Sequence, residues 1–387
     1  MTEKIISDPK LLRRCSRCVM PETQESIVFD EAGVCSTCRN LEIKEKLNWI
    51  NKGREFVDLL ENYRGKYFYD CIIPFSGGED STFTVLALVK KFGLRPLVVS
   101  YDHHMYRPTV LRNAERTIKR LGVDFFKFST NWQLVKKLMR VSLERKGDIY
   151  WYQHSGIFAF PMHVAVKFNV PLVIWGEPSS EYTSYYGYDE TEEVDERRFN
   201  MFVNLGITAE DMIGFLNDNM ITMNDLQFHA FPSRDKLKAI NCRSICLGSY
   251  ESWDVKKQVE IIKSELDWEC DFVEGVPPEY NYEKIEDMMQ GVQDYLKFIK
   301  RGYGRMSHLA SIDIRNGRLK REEALNLLEK WEGLRPASLD VFLYWLNISE
   351  KEFNDIASRH AVKPWKHDFN KTKRGEELPD QKFWSRD

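Results

Sequence analysis

Between the apolar run Tyr69 to Phe75 and the helix-spaced run Thr82 to Val89 stand Ser76-Gly77-Gly78-Glu79-Asp80-Ser81. The first run reads as a short buried strand. The second reads as a helix closing on Lys90, Lys91 and Gly93, cations in the last turn followed by a stop. A strand, a glycine turn and a helix start constrain the chain strongly, because they create an anion site. The first N–H groups of the helix have no intrahelical partner, and its dipole favours negative charge there. Adjacent glycines let the backbone close around phosphate oxygens, and Ser76, Ser81 and Thr82 add hydroxyls. Bare phosphate would repel Asp80, so its place is as a ligand of a phosphate-bound Mg²⁺.

The loop lacks the Gly-x-x-x-x-Gly-Lys-Ser/Thr pattern of the Walker type. It resembles the Ser-Gly-Gly-x-Asp-Ser signature of the PP-loop ATP pyrophosphatases, which include asparagine synthetase, GMP synthetase and the tRNA thiolases. The resemblance implies an adenine nucleotide α-hydrolase-like fold and cleavage of ATP between its α and β phosphates. Pyrophosphate would sit in the loop, and a substrate oxygen would be adenylated.

The rest of the chain is consistent with a parallel sheet. Arg95 to Ser100 reads as a second strand, Val123 to Phe128 as a third and Pro171 to Trp175 as a fourth. Helices are expected at Thr109 to Leu121, Asn131 to Arg145 and Ser155 to Phe168. That alternation predicts an α/β fold with a doubly wound parallel sheet. Ligands of such sheets bind at the carboxyl ends of strands. In the resembled enzymes adenosine lies at the end of the second strand, which makes Ser100, Tyr101, Asp102 and His103 candidates for its pocket. The fourth strand runs into Gly176-Glu177-Pro178-Ser179-Ser180-Glu181, similar to the Gly-Glu-Gly-Ser-Asp-Glu motif of asparagine synthetase. Glu177 and Glu181 match acidic positions, whereas Ser180 replaces an Asp of that motif. Tyr182, Tyr185, Tyr186 and Tyr188 follow, with flat faces suited to a sugar or base. The acidic run from Asp189 to Glu196 reads as a surface insertion.

Ahead of the sheet, Cys15-x-x-Cys18 and Cys35-x-x-Cys38 are separated by sixteen residues. Paired CxxC turns suit a tetrahedral thiolate Zn²⁺ site, closed and therefore structural. The N-terminus lacks the apolar core of a signal peptide and no apolar run reaches membrane-spanning length, which leads to an expectation of a cytoplasmic protein. A net charge of −3 gives no electrostatic footprint for nucleic acid, and none is expected as a partner. After Phe228 the chain reads as mostly helical, with Val255 to Leu266 and Tyr282 to Arg301 the clearest helices. Cys242 and Cys246 read as small buried apolar residues. Asp313 and Arg315 form a candidate ion pair or substrate contact, and Lys366 to Asp387 reads as a weakly ordered tail. The expected division is a zinc unit at 1–50, a PP-loop domain at 51–235 and a helical region at 236–387.

The cysteine unit, the PP-loop and Lys300-Arg301-Gly302-Tyr303-Gly304-Arg305 together resemble the N-acetyl sugar amidotransferases of surface-polysaccharide and flagellin-glycan biosynthesis, over about Cys15 to Leu328. This implies conversion of the acetamido group of a nucleotide-linked sugar to an acetamidino group, by adenylation and attack of ammonia. On that resemblance Ser76, Gly77, Gly78, Ser81 and Thr82 hold phosphates, and Asp80 with Glu177 or Glu181 positions Mg²⁺. Gly176 borders the nucleotide, and Lys297, Lys300 and Arg301 offset pyrophosphate charge. The sequence has neither an N-terminal nucleophilic cysteine nor a Gly-x-Cys-x-Gly elbow, so ammonia is expected from a separate glutaminase, with a barrel subunit as a further candidate partner. A PP-loop tRNA thiolase and a non-catalytic nucleotide-binding scaffold are the alternatives.

Overall fold

The computed structural model describes residues 5–181, 187–188 and 193–379, apart from the side chains of 197, 201 and 202. Tyr182, Tyr185, Tyr186, the run 189–192 and the end of the tail lie outside the described residues.

Five parallel strands form one sheet: β1 (Cys71–Pro74), β2 (Pro96–Asp102), β3 (Asp124–Ser129), β4 (Leu172–Trp175) and β5 (Arg243–Cys246), in the order β3-β2-β1-β4-β5. The chain steps outward from β1 through β2 to β3, then returns to the other side of β1 for β4 and β5. The strand order reverses between β1 and β4, and there the carboxyl ends open a crevice. Strands β1, β2 and β4 are almost wholly buried, as covered parallel strands rich in Ile, Val and Leu must be. One face carries the helix Trp151–Phe168, and the other carries Glu79–Leu86, Pro108–Leu121 and Val255–Leu266. The α/β doubly wound reading is correct. β5 is an addition, because Arg243-Ser244-Ile245-Cys246 is too short to show a period. It lies beyond the boundary expected at 235, so the sheet extends past it.

The helix expected from Tyr282 begins only at Gln290, and residues 282–289 form turns instead. Arg305–Arg315, Arg321–Trp331, Ser338–Leu346 and Glu350–Arg359 complete the helical C-terminal region. It is not a separate body. One apolar cluster joins Val19 and Phe56 to Ile73, Val85, Tyr280 and Leu328, and another joins Val135 and Trp151 to Leu296, Phe342 and Phe353. The expected weak tail is docked as far as Leu378, which is buried, with Arg335 N donating to the Lys373 carbonyl at 2.8 Å. No helix among the described residues is long and apolar enough to cross a membrane.

Candidate functional site

Immediately after β1 the chain turns at Gly77, whose φ is +84°. A Cβ there would also lie 3.0 Å from Val110 Cγ1 and 3.3 Å from its carbonyl oxygen, so geometry and space both require glycine. Gly78 caps the helix Glu79–Leu86 in extended conformation, and a Cβ on it would meet Glu286 Oε2 at 2.5 Å. Trp268 Nε1 donates to the Gly77 carbonyl at 3.1 Å and holds the turn from below. Ser81 Oγ accepts from Ser76 N at 3.1 Å, and Ser76 Oγ accepts from Gly78 N at 3.3 Å. The hydroxyls are thus drawn into the mouth of the helix, where the exposed N–H groups favour an anion. Thr82 differs from expectation: it is fully buried on the core side and does not line the cavity.

Carboxylates crowd the rim of this loop. Lys284 Nζ stands 3.3 Å from Asp80 Oδ2, 3.8 Å from Glu177 Oε1 and 4.0 Å from Glu79 Oε1. Burial, followed by repulsion from Glu177, pushes the Asp80 carboxyl well above the usual carboxylate range. Burial and then Glu286 do the same to Glu79. Burial opposes the charge on Lys284, but Glu177, Asp80 and Glu79 outweigh it and raise the ammonium's pKa. One ammonium therefore faces several acids, with Asp80 Oδ1 and Glu79 Oε2 buried and without a hydrogen-bond partner among the described residues. Such a donor set fits a hard divalent cation, which takes carboxylate oxygens and would relieve the repulsion. Asp80 and Glu177, expected to act together, are brought together.

Glu181 is not part of this group. Its carboxylate accepts from Lys44 Nζ and from the Tyr188 hydroxyl, and Lys44 also donates to the Trp253 carbonyl at 2.8 Å. It ties the loop after β4 to the helix Ser36–Lys46, so the expectation of a second metal carboxylate at 181 is corrected to that of a tether.

Behind the rim the cavity continues, about 200 Å³ in volume, along the carboxyl ends of β1, β2 and β4. Its inner wall is apolar: Pro74, Val99, Ile157 and Phe158, with Phe158 stacked on Trp175 at 4.7 Å. Gly176 belongs to the wall, and a Cβ on it would lie 2.6 Å from Thr84 Oγ1. Of the second-strand candidates only Tyr101 lines this space. Its hydroxyl meets Thr130 Oγ1 at 2.7 Å. Ser100 faces the other side and meets the Tyr106 hydroxyl at 3.1 Å. Asp102 pairs with Lys127 at 2.7 Å, and buried His103 lies 4.1 Å from the Tyr106 ring. Alternation along the strand explains Ser100 and Asp102, since neighbouring side chains point to opposite faces, while His103 lies past the end of β2. Cys246, at the end of β5, does line the cavity, 3.8 Å from Arg198 Nη1.

The three cations expected at the phosphates stand elsewhere. Arg301 pairs with Glu25 at 2.9 Å and donates to the Thr23 carbonyl at 2.6 Å. Lys300 Nζ donates to the Lys146 carbonyl at 3.4 Å, and Lys297 Nζ lies 5.8 Å from the Tyr303 ring centroid. The cation at the loop is Lys284, which sequence reasoning missed by reading Tyr282 onward as helix. Glu, Lys, Ile and Met there all have good or neutral helix propensity. The hint was Pro277-Pro278, which predicts a turn nearby.

Cys15, Cys18, Cys35 and Cys38 converge as expected, all buried, with their sulfurs within 4.8 Å of one another. The Cys15–Cys38 and Cys18–Cys35 separations of 4.0 and 3.7 Å match the edge of about 3.8 Å for a tetrahedron with Zn–S near 2.3 Å. Backbone N–H groups of Arg17, Cys18 and Cys35 point at Cys15 Sγ at 3.2–3.4 Å, as thiolates require. The donors fit a closed structural zinc. Arg321 Nε reaches the Cys15 and Cys18 carbonyls at 3.2 and 3.0 Å and ties the unit to the C-terminal helices. Asp313 does not pair with Arg315 but with Lys256 and Arg318, at 2.6 and 2.8 Å.

Among known proteins, an uncharacterized protein of Methanocaldococcus jannaschii is 32% identical over 115 residues, 29% of this chain. The match spans 40% of that relative's length. Among solved structures, NMN synthetase from Francisella tularensis aligns over 80% of this chain and 97% of its own, at 12% identity and a TM-score of 0.35. A protein described as a predicted subunit of tRNA methyltransferase, from Methanocaldococcus jannaschii, aligns over 43% of this chain and 93% of its own, at 16% identity and a TM-score of 0.23. Residues 274–379, the stretch that brings Lys284 and Glu286 to the loop, match the family described as LPS biosynthesis protein WbpG-like, C-terminal domain.

Proposed function

We propose that this chain is an ATP-dependent, AMP-forming amidotransferase acting on the acetamido group of a nucleotide-linked N-acetyl sugar. The observation that carries the reading is the convergence of Asp80 and Glu177 on Lys284 at the mouth of the Ser76–Ser81 loop. An anion-binding helix start beside carboxylates that lack enough positive charge is the arrangement a metal–triphosphate complex would satisfy. The likeness of residues 274–379 to an LPS biosynthesis family supports a sugar acceptor.

An acetamido oxygen is a poor leaving group. Its attack on the α-phosphorus would release pyrophosphate and leave the oxygen bound to AMP. Ammonia adds to the activated carbon, AMP departs with the oxygen, and loss of a proton leaves the acetamidine. Asp80 and Glu177 would hold Mg²⁺, which supplies charge neutralisation for the departing pyrophosphate. Ser76, Gly78 and Ser81 bind and orient the phosphates, Lys284 offsets part of the repulsion among the carboxylates, and the Ile157–Phe158–Trp175 wall excludes water. Zinc held by the four cysteines would be structural. A separate glutaminase, with or without a barrel subunit, supplies ammonia, and the reading places the protein in the cytoplasm.

The test is AMP and pyrophosphate release from ATP with ammonium and a panel of nucleotide-linked N-acetyl sugars. The product should lose about one mass unit as NH replaces oxygen. No AMP with any acceptor defeats the proposal in favour of a scaffold. Cys246 in the cavity is the one observation that favours a tRNA thiolase. Cys246→Ser separates the two, since amidotransfer needs no thiol and tRNA-dependent AMP release does.

A further inference from the structure

The helix Arg305–Arg315 presents His308 and Arg315 seven residues apart, hence on one face. Arg315 Nη2 donates to the Glu181 carbonyl at 3.1 Å, while its Nη1 is buried without a hydrogen-bond partner among the described residues. His308 Nε2 is likewise buried and unpartnered, and its ring lies 5.5 Å from that of Tyr303. Lys297 approaches the same Tyr303 ring at 5.8 Å. The nearby carboxylates are committed elsewhere: Glu25 to Arg301 and the Tyr303 hydroxyl, Glu283 and Asp294 to Arg305, and Glu181 to Lys44. Lys297 feels the field of Glu25, whose carboxylate is paired with Arg301, and among the described residues neither Lys297 nor Arg315 is seen in an ion pair of its own. Lys297, Arg305 and Arg315 add their positive field to burial and hold His308 neutral.

This group adjoins the loop after β4, whose Glu177 lines the nucleotide cavity. Arg315 grips the loop that begins at Glu177, and His154 stands in the field of both Lys284 and Lys297. Buried guanidinium and imidazole donors left unpaired cost stability, so an arrangement of this kind marks a place for a ligand acceptor.

We propose that Lys297, His308 and Arg315 bind an anionic group of the acceptor, a diphosphate or a sugar carboxylate, beside the loop that carries Glu177. The proposal rests on the reading of the cavity as an ATP site with an adjoining acceptor. Arg315 offers a fork of donors that suits either oxyanion, Lys297 adds a point charge, and neutral His308 adds one directed hydrogen bond.

The test measures calorimetric binding to the full-length, zinc-loaded protein with a non-hydrolysable ATP analogue present. The probes are UDP-N-acetylglucosamine, its 6-carboxylate analogue and the neutral methyl N-acetylglucosaminide. The wild type should bind at least one anionic probe about tenfold more tightly than the neutral one, and Arg315→Gln should remove that preference. Lys44 still holds the loop at Glu181, so binding of the ATP analogue should change by less than that of the anionic probe. A carboxylate preference within the UDP pair assigns the site to the sugar acid, and none assigns it to the diphosphate. Should Arg315→Gln fail to fold, Lys297→Gln carries the same expectation. An unchanged preference in a folded variant, or no preference in the wild type, overturns the proposal. Arg315-dependent binding without any AMP release would instead defeat the amidotransfer reading and leave the anion site standing.

Discussion

At the scale of single residues the site is governed by an imbalance of charge. Asp80 is held in repulsion with Glu177, and on the proposed reading it holds the cation. Asp80→Asn should therefore lower AMP formation by about 10²-fold or more while leaving the melting temperature equal to or above that of the wild type. A fall in both would mean that Asp80 serves the fold. Lys284 is the opposite case. Lys284→Met leaves Glu79, Asp80 and Glu177 without their ammonium, and loss of one partner of a buried pair costs about 3 kcal/mol. The sign with pH follows from the direction of the shifts. Carboxyls whose folded pKa lies above the unfolded value stabilise most at acid pH, and that contribution is lost as pH rises through the folded pKa. The deficit of Lys284→Met relative to wild type should thus be smaller near pH 5 than near pH 8, read by urea unfolding. An equal deficit at both would place the destabilisation in packing. The loop itself was legible in the sequence, because Ser-Gly-Gly-x-Asp-Ser acts through local backbone geometry. Lys284 was not legible, because it reaches Asp80 across 204 positions of chain.

At the scale of elements, the cysteine unit and the loop after β4 are mechanically joined. Lys44 leaves the helix that Cys35 caps and grips Glu181, on the loop that also carries Glu177. Chelation of zinc should unfold the unit, because so short a segment lacks a core of its own. Nucleotide affinity should fall with the zinc content, one ion per chain, measured by titrating chelator against ATP binding. Intact affinity in zinc-free protein would disconnect the two. Lys44→Met is milder: zinc should stay bound, while the buried Glu181 left behind loosens the loop and weakens nucleotide binding by about 10-fold. The motif at 177–181 was readable as acidic, yet its two carboxylates serve different purposes. Glu177 turns toward Lys284 on the 282–289 turns and Glu181 toward Lys44 on the helix Ser36–Lys46, a division set by which segment packs against each.

At the scale of the whole molecule, residues 274–379 look like a separable region by their family match, but their packing is continuous with the sheet. Tyr280, Ile285 and Leu328 lie in the same apolar cluster as Ile73 and Val85, and Leu296 and Phe342 pack with Val135 and Trp151. A chain ending at 273 should fail to give a folded nucleotide-binding sheet, tested by limited proteolysis and ATP binding of the truncated protein. A protease-resistant fragment that still binds ATP would contradict this. Local features were legible in the sequence: the loop and its helix start, four strands from their apolar and aromatic runs, and the paired CxxC turns. These depend on backbone geometry and spacing within a few residues. The remainder came from packing between distant segments. That packing added β5, sent 282–289 into the site as turns, moved Lys297, Lys300 and Arg301 away from the phosphate loop and set Glu181 on Lys44. Each is a contact between distant parts of the chain, where burial and charge pairing override local propensity.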